Sequence, residues 1–336
     1  LQPGGDPAHP VLSVRAISLF SGGLDSILAV KLIGEQGIDI EGIAFETPFF
    51  NASRARLAAE KIGLSLRIID LTHPHLVMLK SPRYGYGKNM NPCIDCHTLM
   101  LAKAGKIMEE TGADFIFTGE VLGQRPMSQT RQSLHVVAKN SGYADFIVRP
   151  LSARLLPETR PEQEKKLDRS KLLSIQGRGR KMQIQLARHY GIVDYPPPAG
   201  GCLLTDPNFS RRLKDLFDHC PDHGIRDIEL LKLGRHFRIH ANAKLIVGRN
   251  QADNAAILAL LREGDAVLQM ADFRGPTVLV PNGCDEATLG AAAGFCCLYA
   301  NRPDDNPCKV LCRTGGTART MTATAPRRED AERMLL

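Results

Sequence analysis

Short strand-like and helix-like segments alternate through residues 1–150, and this alternation constrains the fold more than any other feature of the sequence. Apolar runs typical of strands lie at residues 14–20, 40–46, 66–71, 114–118 and 146–148. Helical patterns lie between them, at residues 26–35, 51–62, 92–111 and 129–140. Helices that join successive strands favour parallel crossovers and a sheet covered on both faces. We therefore expect an α/β domain built on a parallel sheet.

The chain has 336 residues, which is enough for two or three domains. We expect the α/β domain to cover residues 1–155 and a basic helical linker to cover residues 156–226. The sequence pattern changes near residue 227, where the strand-like KLIVGR and TVLVP alternate with Ala-rich helical stretches. This pattern predicts a smaller α+β domain at residues 227–313. The remaining residues, 314–336, predict a flexible tail.

The segment SGGLDS follows the first predicted strand directly and opens a helix. Gly22 and Gly23 let the backbone turn tightly and approach an anion, and the free N–H groups of the helix start point at that anion. Ser21 and Ser26 add hydroxyl donors. Asp25 alone would repel a phosphate, so we expect it to hold Mg²⁺ that bridges to the phosphate.

Cys93 and Cys96 form a CxxC motif at the start of the helical pattern 92–111. Asn91 is expected to cap this helix, with Pro92 at its first position. The helix dipole there lowers the pKa of a thiol and favours the thiolate. Two such thiols can form a redox pair or bind a metal, or they can be two small buried apolar side chains. A third candidate, Cys202, follows the segment PPPAGG, whose glycine turn can carry it into a cleft.

Other cysteines and histidines give weaker signals. Cys296 and Cys297 lie in an Ala-rich apolar stretch, which predicts a place in the core. His73 and His75 flank a proline and are expected to be loop residues rather than metal ligands.

SGGLDS resembles the SGGxDS signature of the PP-loop ATP pyrophosphatases, which adenylate a substrate oxygen and release pyrophosphate. The segments TGEVLGQ and SQT, at residues 118–124 and 128–130, resemble a stretch of the ThiI-type tRNA thiolases within that superfamily. The pattern of a CxxC followed by a distant cysteine is similar to the MnmA, TtuA and TtcA types of tRNA thiolase. The resemblance implies that ATP is held by the residues Ser21, Gly22, Gly23, Asp25, Ser26, Phe45, Gly119 and Gln124.

The resemblance also implies an ATP-dependent tRNA sulfurtransferase in which Asp25, Cys93 and Cys202 are catalytic. Two sulfur routes remain open. In one, a cysteine carries a persulfide and a second cysteine resolves it as a disulfide. In the other, Cys93, Cys96 and Cys202 hold a [4Fe-4S] cluster with one open iron. The intact CxxC favours the cluster, because Cys96 would be dispensable for the persulfide. The sulfur donor would be a cysteine desulfurase or a sulfur carrier.

Two regions predict RNA as a partner. Residues 162–188 hold eight Lys or Arg against three acidic residues, and Arg180 lies in their glycine-flanked part, IQGRGRK. Arg83, Tyr84 and nearby residues before the CxxC could brace a flipped-out base. The series VGRN, DN and GP at residues 247–276 resembles the NFACT-R RNA-binding domain. We therefore expect tRNA as the partner.

Composition excludes some classes of protein. The formal net charge of +7 favours an anionic partner, and 43% hydrophobic residues exclude a largely disordered chain. No apolar run reaches the roughly 18 residues of a membrane span, and nine cysteines without an export signal predict the reducing cytosol. Two other functions remain open: an ATP-dependent synthetase or ligase acting on a small molecule, and an RNA-binding protein with a vestigial phosphate loop.

Overall fold

The computed structural model describes residues 13–195, 201–283, 285–301 and 307–336. The chain divides into two compact units, Leu1–Cys202 and Leu203–Leu336. The segment 156–226, which the sequence predicts to be a separate linker, is therefore shared between the units. The proline-rich turn predicted just before Cys202 lies mostly outside the described residues.

Unit 1 contains a parallel sheet, and its described strands number five. The strands are β1 (Arg15–Leu19), β2 (Asp39–Glu46), β3 (Ser65–Asp70), β4 (Phe115–Thr118) and β5 (Ile147–Val148). Their order is β3-β2-β1-β4-β5. The predicted parallel α/β fold is thus confirmed. The chain winds in opposite directions on the two sides of the β1–β4 pair, and ligands of such sheets bind where the winding reverses, at the carboxyl ends of the strands.

Helices join these strands. They are α1 (Leu24–Gly34), α2 (Ser53–Ile62), α3 (Thr72–Lys80), α4 (Cys93–Thr111), α5 (Arg131–Ser141), α6 (Arg160–Gln163) and α7 (Lys181–His189). Helix α3 contradicts the expectation that His73 and His75 lie in a loop. Pro74 occupies its first turn, where a missing N–H costs no helical hydrogen bond, and Asp70 Oδ1 accepts from Thr72 N at 2.7 Å.

Apolar clusters cover both faces of the unit 1 sheet, as a buried parallel sheet requires. On one face α1 contributes Leu28 and Ile33, and α7 contributes Ala187. The other face packs against α4 through Leu101 and Ile107, and Phe45 of β2 belongs to this cluster. The burial of both faces fixes the strand ends, and with them the loops that carry the polar motifs.

Unit 2 is built on an antiparallel sheet with the strand order β11-β10-β8-β9-β7-β6 in the described residues. Its elements are α8 (Pro207–His219), α9 (Ile225–Leu230), β6 (Arg235–His240), β7 (Ala243–Val247), α10 (Gln251–Ala259), β8 (Ala266–Met270), β9 (Val278–Val280), α11 (Glu286–Leu298), β10 (Cys308–Thr314), β11 (Thr317–Ala323) and α12 (Arg328–Arg333). Cys296 and Cys297 are buried under this sheet, as predicted.

The expectation of a flexible tail at 314–336 is wrong. Residues 315–316 are a Gly-Gly hairpin turn between β10 and β11, and both glycines have positive φ. Strand β11 is rich in threonine, a good strand former, and Ala331 of α12 is buried in the core of unit 2. Within the described residues, none of the helices combines the length and apolar character needed to cross a membrane.

Candidate nucleotide and thiol site

The turn between β1 and α1 is compact and held by its own side chains. Gly22 has a φ of +71°, and a Cβ there would lie 2.4 Å from the carbonyl oxygen of Arg54 at the start of α2. Ser26 Oγ donates to the Gly23 carbonyl at 2.8 Å, and Ser21 Oγ donates to Ser26 Oγ at 3.3 Å. The turn therefore requires glycine at position 22 and presents the amino-terminal end of α1 at the carboxyl edge of the sheet.

The chain leaving β4 lies directly against this turn. A Cβ at Gly119 would come within 2.5 Å of the Ser26 backbone nitrogen. Gly119 is thus needed for close backbone approach, although its own φ is not positive. The loops after β1 and β4, on the two sides of the point where the winding reverses, form one surface.

Asp25 lies at this surface with an incomplete set of partners. Its Oδ2 accepts from Gln124 Nε2 at 2.9 Å, whereas its Oδ1 is buried and accepts no hydrogen bond from the described residues. Burial raises the pKa of Asp25, and Gln124 and the charges of Arg180 and Arg125 oppose that rise. A buried carboxylate oxygen without a donor fits a Mg²⁺ ligand, and the glycine turn beside it fits a nucleotide phosphate.

The thiols lie in different surroundings at the start of α4. Asn91 Nδ2 donates to Cys93 Sγ at 3.2 Å. Asn91 is therefore not the cap of α4; Pro92 takes that position, because the Asn91 side chain bonds to Cys93 and accepts from the backbone of Asn89.

Cys96 contacts a buried histidine. Its Sγ lies 3.5 Å from His75 Nε2, and the His75 ring contacts the rings of Phe49 and Phe50, with centroids 5.4 and 5.6 Å apart. Burial lowers the pKa of His75 to about 4, so its imidazole is neutral at pH 7. Burial raises the pKa of Cys96, and the neighbouring Cys202 and Cys93 raise it further. Cys96 is thus held as a thiol.

The electrostatic coupling of Cys96 to Cys93 and Cys202 places the three predicted cysteines in one neighbourhood. Among the described residues, however, no three or more His, Cys, Asp or Glu side chains are placed to hold a metal ion. As they lie here, the three thiols do not form the ligand set that a [4Fe-4S] cluster needs.

A buried ionic network links α4 to the carboxyl end of the sheet, and it was not predicted from the sequence. His97, the residue after Cys96, contacts Glu120 Oε1 through Nδ1 at 2.9 Å. Arg149 Nε donates to Glu120 Oε2 at 2.9 Å, and Thr118 Oγ1 donates to the same oxygen at 3.2 Å. Burial by itself would raise the pKa of Glu120, but Arg149 and His97 outweigh it and lower the pKa to about 2. His97 lies four residues after Cys93, on the same helical face, and this spacing was the available signal.

The predicted aromatic residues precede the CxxC on the surface. Tyr84 and Tyr86 are 41% and 39% exposed, and the Arg83 guanidinium lies over the Tyr84 ring, 5.5 Å from its centroid. The Tyr86 hydroxyl donates to the Leu79 carbonyl at 2.6 Å, and Asp95 accepts from the backbone nitrogens of Arg83 and Tyr84. The segment is therefore tied to α3 and α4, next to the thiols.

The basic run 162–188 does not form one charged face. Lys166 pairs with Asp114 at 2.7 Å, and Arg169 pairs with Glu162 at 2.5 Å. These two cations therefore form ion pairs within unit 1. Arg178 is exposed, whereas the Arg180 Nε is buried.

In unit 2, residues of the VGRN, DN and GP series form hydrogen bonds and an ion pair within the unit. Asn254 Oδ1 accepts from Thr277 N at 2.9 Å, and its Nδ2 donates to the Gly275 carbonyl at 3.2 Å. Asn250 caps α10, and Arg249 pairs with Asp253 at 2.7 Å. These residues join two loops of the unit.

Comparison with known families agrees with this division. Residues 12–154 match the family described as thiamine biosynthesis protein (ThiI). Most of the parallel-sheet part of unit 1 is therefore similar to this family. Residues 234–333 match the family described as NFACT protein RNA binding domain, so both predicted resemblances are confirmed. The residues that match the ThiI model include the phosphate loop, Cys93, Cys96 and Glu120, whereas Cys202 lies beyond them.

A curated relative, the tRNA-specific 2-thiouridylase MnmA of Sulfurimonas denitrificans (strain ATCC 33889 / DSM 1251), is 31% identical over 121 residues. The match covers 33% of this chain and 36% of that protein, so the chain spans about a third of the length of this relative.

Three solved structures show distant likeness. A 4-thiouridine synthetase–RNA complex with bound ATP is 22% identical, covering 64% of this chain and 52% of that chain, with a TM-score of 0.35. A protein of Methanocaldococcus jannaschii DSM, described as a predicted subunit of tRNA methyltransferase, is 14% identical over 52% and 76% of the two chains, with a TM-score of 0.35. The C-terminal part of the fibronectin/fibrinogen-binding protein of Streptococcus suis is 12% identical over 46% and 77%, with a TM-score of 0.28.

Proposed function

We propose that this chain is an ATP-dependent tRNA sulfurtransferase that converts a uridine into a thiouridine. The observation that carries the proposal is a continuous series of contacts from the thiols to the phosphate turn. Cys96 is followed by His97, whose ring contacts Glu120 at 2.9 Å. Glu120 follows Gly119, whose Cα packs against the backbone of Ser26. A nucleotide on the turn and a sulfur on α4 would therefore share one site.

In the first step, the uridine carbonyl oxygen attacks the α-phosphorus of ATP, and the bond to the β-phosphate oxygen breaks. The free N–H groups at the start of α1 and the hydroxyl of Ser21 bind the phosphates and stabilise the charge on the departing pyrophosphate. Mg²⁺, held by Asp25, would supply additional neutralisation of that charge. Adenylation turns a poor leaving oxygen into a good one.

In the second step, sulfur replaces the activated oxygen. The terminal sulfur of a persulfide on Cys93 attacks the uridine carbon, and AMP leaves with the oxygen. The thiolate of Cys202 then attacks Cys93 Sγ, which releases the thiouridine and leaves a Cys93–Cys202 disulfide for an external thiol to reduce. A cysteine desulfurase or a sulfur carrier would reload Cys93, and free thiols fit the reducing cytosol.

The different surroundings of the two CxxC thiols support a persulfide on Cys93. Asn91 donates to the Cys93 sulfur, whereas burial raises the pKa of Cys96 and its neighbour His75 is neutral. Because the nucleophile is the thiolate, the raised pKa of Cys96 makes Cys96 the poorer carrier of the two. The [4Fe-4S] route stays an alternative, and iron analysis distinguishes the two.

The RNA-binding domain of unit 2 supports tRNA as the acceptor, and the exposed Tyr84 and Tyr86 rings beside α4 could stack on a flipped-out base. The test is to incubate the chain with ATP, Mg²⁺, an unmodified tRNA transcript and a persulfide donor. We expect tRNA-dependent release of pyrophosphate and thiolated tRNA, and neither product from Asp25→Asn. Pyrophosphate exchange without tRNA would support a small-molecule synthetase instead. A chain that binds tRNA but no ATP would support a vestigial loop.

A further inference from the structure

In the described part of the chain, strands β8, β10 and β11 leave one face of the unit 2 sheet uncovered. Burial alternates along β10: Cys308, Val310 and Cys312 are buried, whereas Lys309 and Arg313 are exposed. The three buried residues belong to the core that α11 covers. The two cations therefore lie on the opposite face, because successive side chains alternate across a strand.

Helix α10 covers only part of this opposite face. Its Ile257 packs with Ile246 of β7 and Val267 of β8 in a separate apolar cluster. The cross-strand neighbour of Val267 on β10 is Arg313, which is exposed, so the cover ends there. We call the uncovered area beyond it the open sheet face. Its main side chains, which pair across β8, β10 and β11, are those of Gln269, Lys309, Leu311, Arg313, Thr320 and Thr322.

The open sheet face is basic. The sequences of its three strands, AVLQM, CKVLCRT and TARTMTA, contain no Asp or Glu. Neither Lys309 nor Arg313 forms an ion pair within the part of the chain that the structure describes. In contrast, Arg319 on the other face of β11 pairs with Glu286 of α11 at 2.5 Å. Four residues of strand place the two unpaired cations about 14 Å apart, so each can meet a separate anionic group.

At its Arg313 end, the open sheet face continues into a cleft between the end of α10 and the glycine turn 315–316. Two acidic residues lie in the wall of this cleft, Glu263 and Asp265. Asp265 already pairs with Arg226, which leaves Glu263 as the acidic group that faces Arg313 across the cleft. The charge of the face as a whole stays positive.

The other side chains of the face favour an extended polyanion over stacked bases. Its three strands contain no aromatic residue. Thr320 and Thr322 are exposed, and their hydroxyls can donate to phosphate oxygens. Base stacking needs an aromatic surface, so this face offers contacts to phosphates rather than to bases.

We propose that the open sheet face binds the phosphate backbone of tRNA, with Lys309 and Arg313 each neutralising one phosphate. This inference rests on the proposed function, in which tRNA is the acceptor, and on the match of residues 234–333 to an RNA binding domain. It assigns the contact to residues outside the VGRN, DN and GP series, whose side chains bond within the unit. Phosphates carry no sequence information, so the contact is independent of base sequence.

The test measures the affinity of the full chain for an unmodified tRNA transcript between about 50 and 200 mM salt. We expect the double variant Lys309→Gln/Arg313→Gln to bind about tenfold more weakly at the lower salt. The slope of log K against log[salt] should become less steep by about 1–2. The control Arg319→Gln/Arg328→Gln removes the same charge from the part of unit 2 that packs with α11, and its affinity should stay within twofold of wild type.

Two further measurements separate backbone binding from folding and from base recognition. Both substituted cations are exposed and unpaired in the described chain, so the double variant should melt within about 2 °C of wild type. An RNA of the same length and unrelated sequence should lose affinity by the same factor as tRNA. In the thiolation reaction, KM for tRNA should rise while kcat at saturating tRNA stays unchanged.

Wild-type affinity and salt slope in Lys309→Gln/Arg313→Gln, an equal loss in the control, or a loss confined to one of the two RNAs overturns the inference and leaves the proposed function standing. A wild-type chain that binds tRNA through these cations but yields neither pyrophosphate nor thiolated tRNA contradicts the proposed function and leaves the binding surface standing.

Discussion

Gly119 and Ser26 lie in backbone contact, and a Cβ atom on Gly119 would come within 2.5 Å of the Ser26 nitrogen. The loops that follow β4 and β1 therefore meet without any side chain between them. This contact brings Glu120 and Gln124 to the phosphate turn. It also makes the position of the turn depend on the residue at 119.

We expect Gly119→Ala to push the β4 loop away from α1. Overpacking of this kind costs about 1–3 kcal/mol of stability, and the displaced turn should bind α,β-methylene-ATP at least tenfold more weakly. Chemical denaturation and calorimetry measure the two effects. Gly34→Ala is the control, because a Cβ there meets only Ile40 Cδ1 at 3.9 Å. Equal behaviour of the two variants would contradict the predicted contact.

Glu120→Gln should destabilise the protein by about 3 kcal/mol at pH 7, because Arg149 and His97 lose a buried carboxylate. The folded pKa of Glu120 is about 2, below the value of about 4.5 in an unfolded chain. Its contribution is therefore fully present above pH 4.5 and is lost as the pH falls towards 2. Denaturation from pH 7 to pH 3 should show the wild-type curve approaching that of the variant.

Glu41→Gln serves as the control for Glu120→Gln, since Glu41 pairs with Arg67 in a more open position. Its cost should stay below about 1 kcal/mol at every pH. A Glu120→Gln protein no less stable than this control would show that the buried network does not hold α4 to the sheet.

His75 gives the protein a second source of acid sensitivity. Its folded pKa is about 4, whereas an unfolded histidine titrates near 6.5. The unfolded chain therefore binds the proton first, and stability should fall as the pH drops from 6.5 to 4, by up to about 3 kcal/mol. In His75→Gln this part of the pH dependence should disappear, while the exposed His73→Gln should keep it. The free energy of unfolding at pH 4, 5, 6 and 7 provides the comparison.

Cysteine variants test the sulfur route. We expect Cys93→Ala and Cys202→Ala to lose thiolation of tRNA to background, and Cys96→Ala to keep most of it. Anaerobically purified wild type should be colourless and contain no stoichiometric iron or sulfide. An iron-containing, coloured protein that loses iron in all three variants would replace the persulfide by the [4Fe-4S] cluster.

In unit 2, Asn254→Ala should lower the stability by about 2 kcal/mol, because Thr277 N and the Gly275 carbonyl lose their partners. Below the melting transition its affinity for tRNA should stay within twofold of wild type. Gln251→Ala, at the exposed start of α10, is the control for stability. A selective loss of tRNA affinity in Asn254→Ala would make this residue an RNA contact instead.

Much of the fold could be predicted because hydrophobic pattern and turn chemistry agree in unit 1. The strand before SGGLDS and the helix after it lie where the pattern predicts them. Helix α3 was not predicted, because a proline breaks a helix unless it lies in the first turn. The sequence alone did not show that Pro74 lies there. The ordered tail was missed because the pairing of β11 with β10 is a tertiary contact that composition does not reveal.

The candidate site could be predicted only where a local motif carries it. The phosphate turn, Gly119 and Gln124 followed from short motifs, and their predicted roles remain predictions to be tested by binding. The role of Glu120 did not follow from its motif, because its partners Arg149 and His97 come from distant segments, and Arg149 itself lies in no motif. Arg180 was assigned to a charged surface, because charge counting does not separate a half-buried arginine from an exposed one.

The first turn of α2 lies close to two segments: the phosphate turn, which serves the first step of the proposed reaction, and the segment before Cys202, which serves the second. The Arg54 carbonyl oxygen lies where a Cβ on Gly22 would be, and a Cβ on Gly201 would lie 3.8 Å from Arg54 Nη1. Gly201 immediately precedes Cys202. A shift of this single turn would therefore disturb nucleotide affinity and the reactivity of the resolving sulfur together. Double-mutant cycles between the two regions should therefore be non-additive.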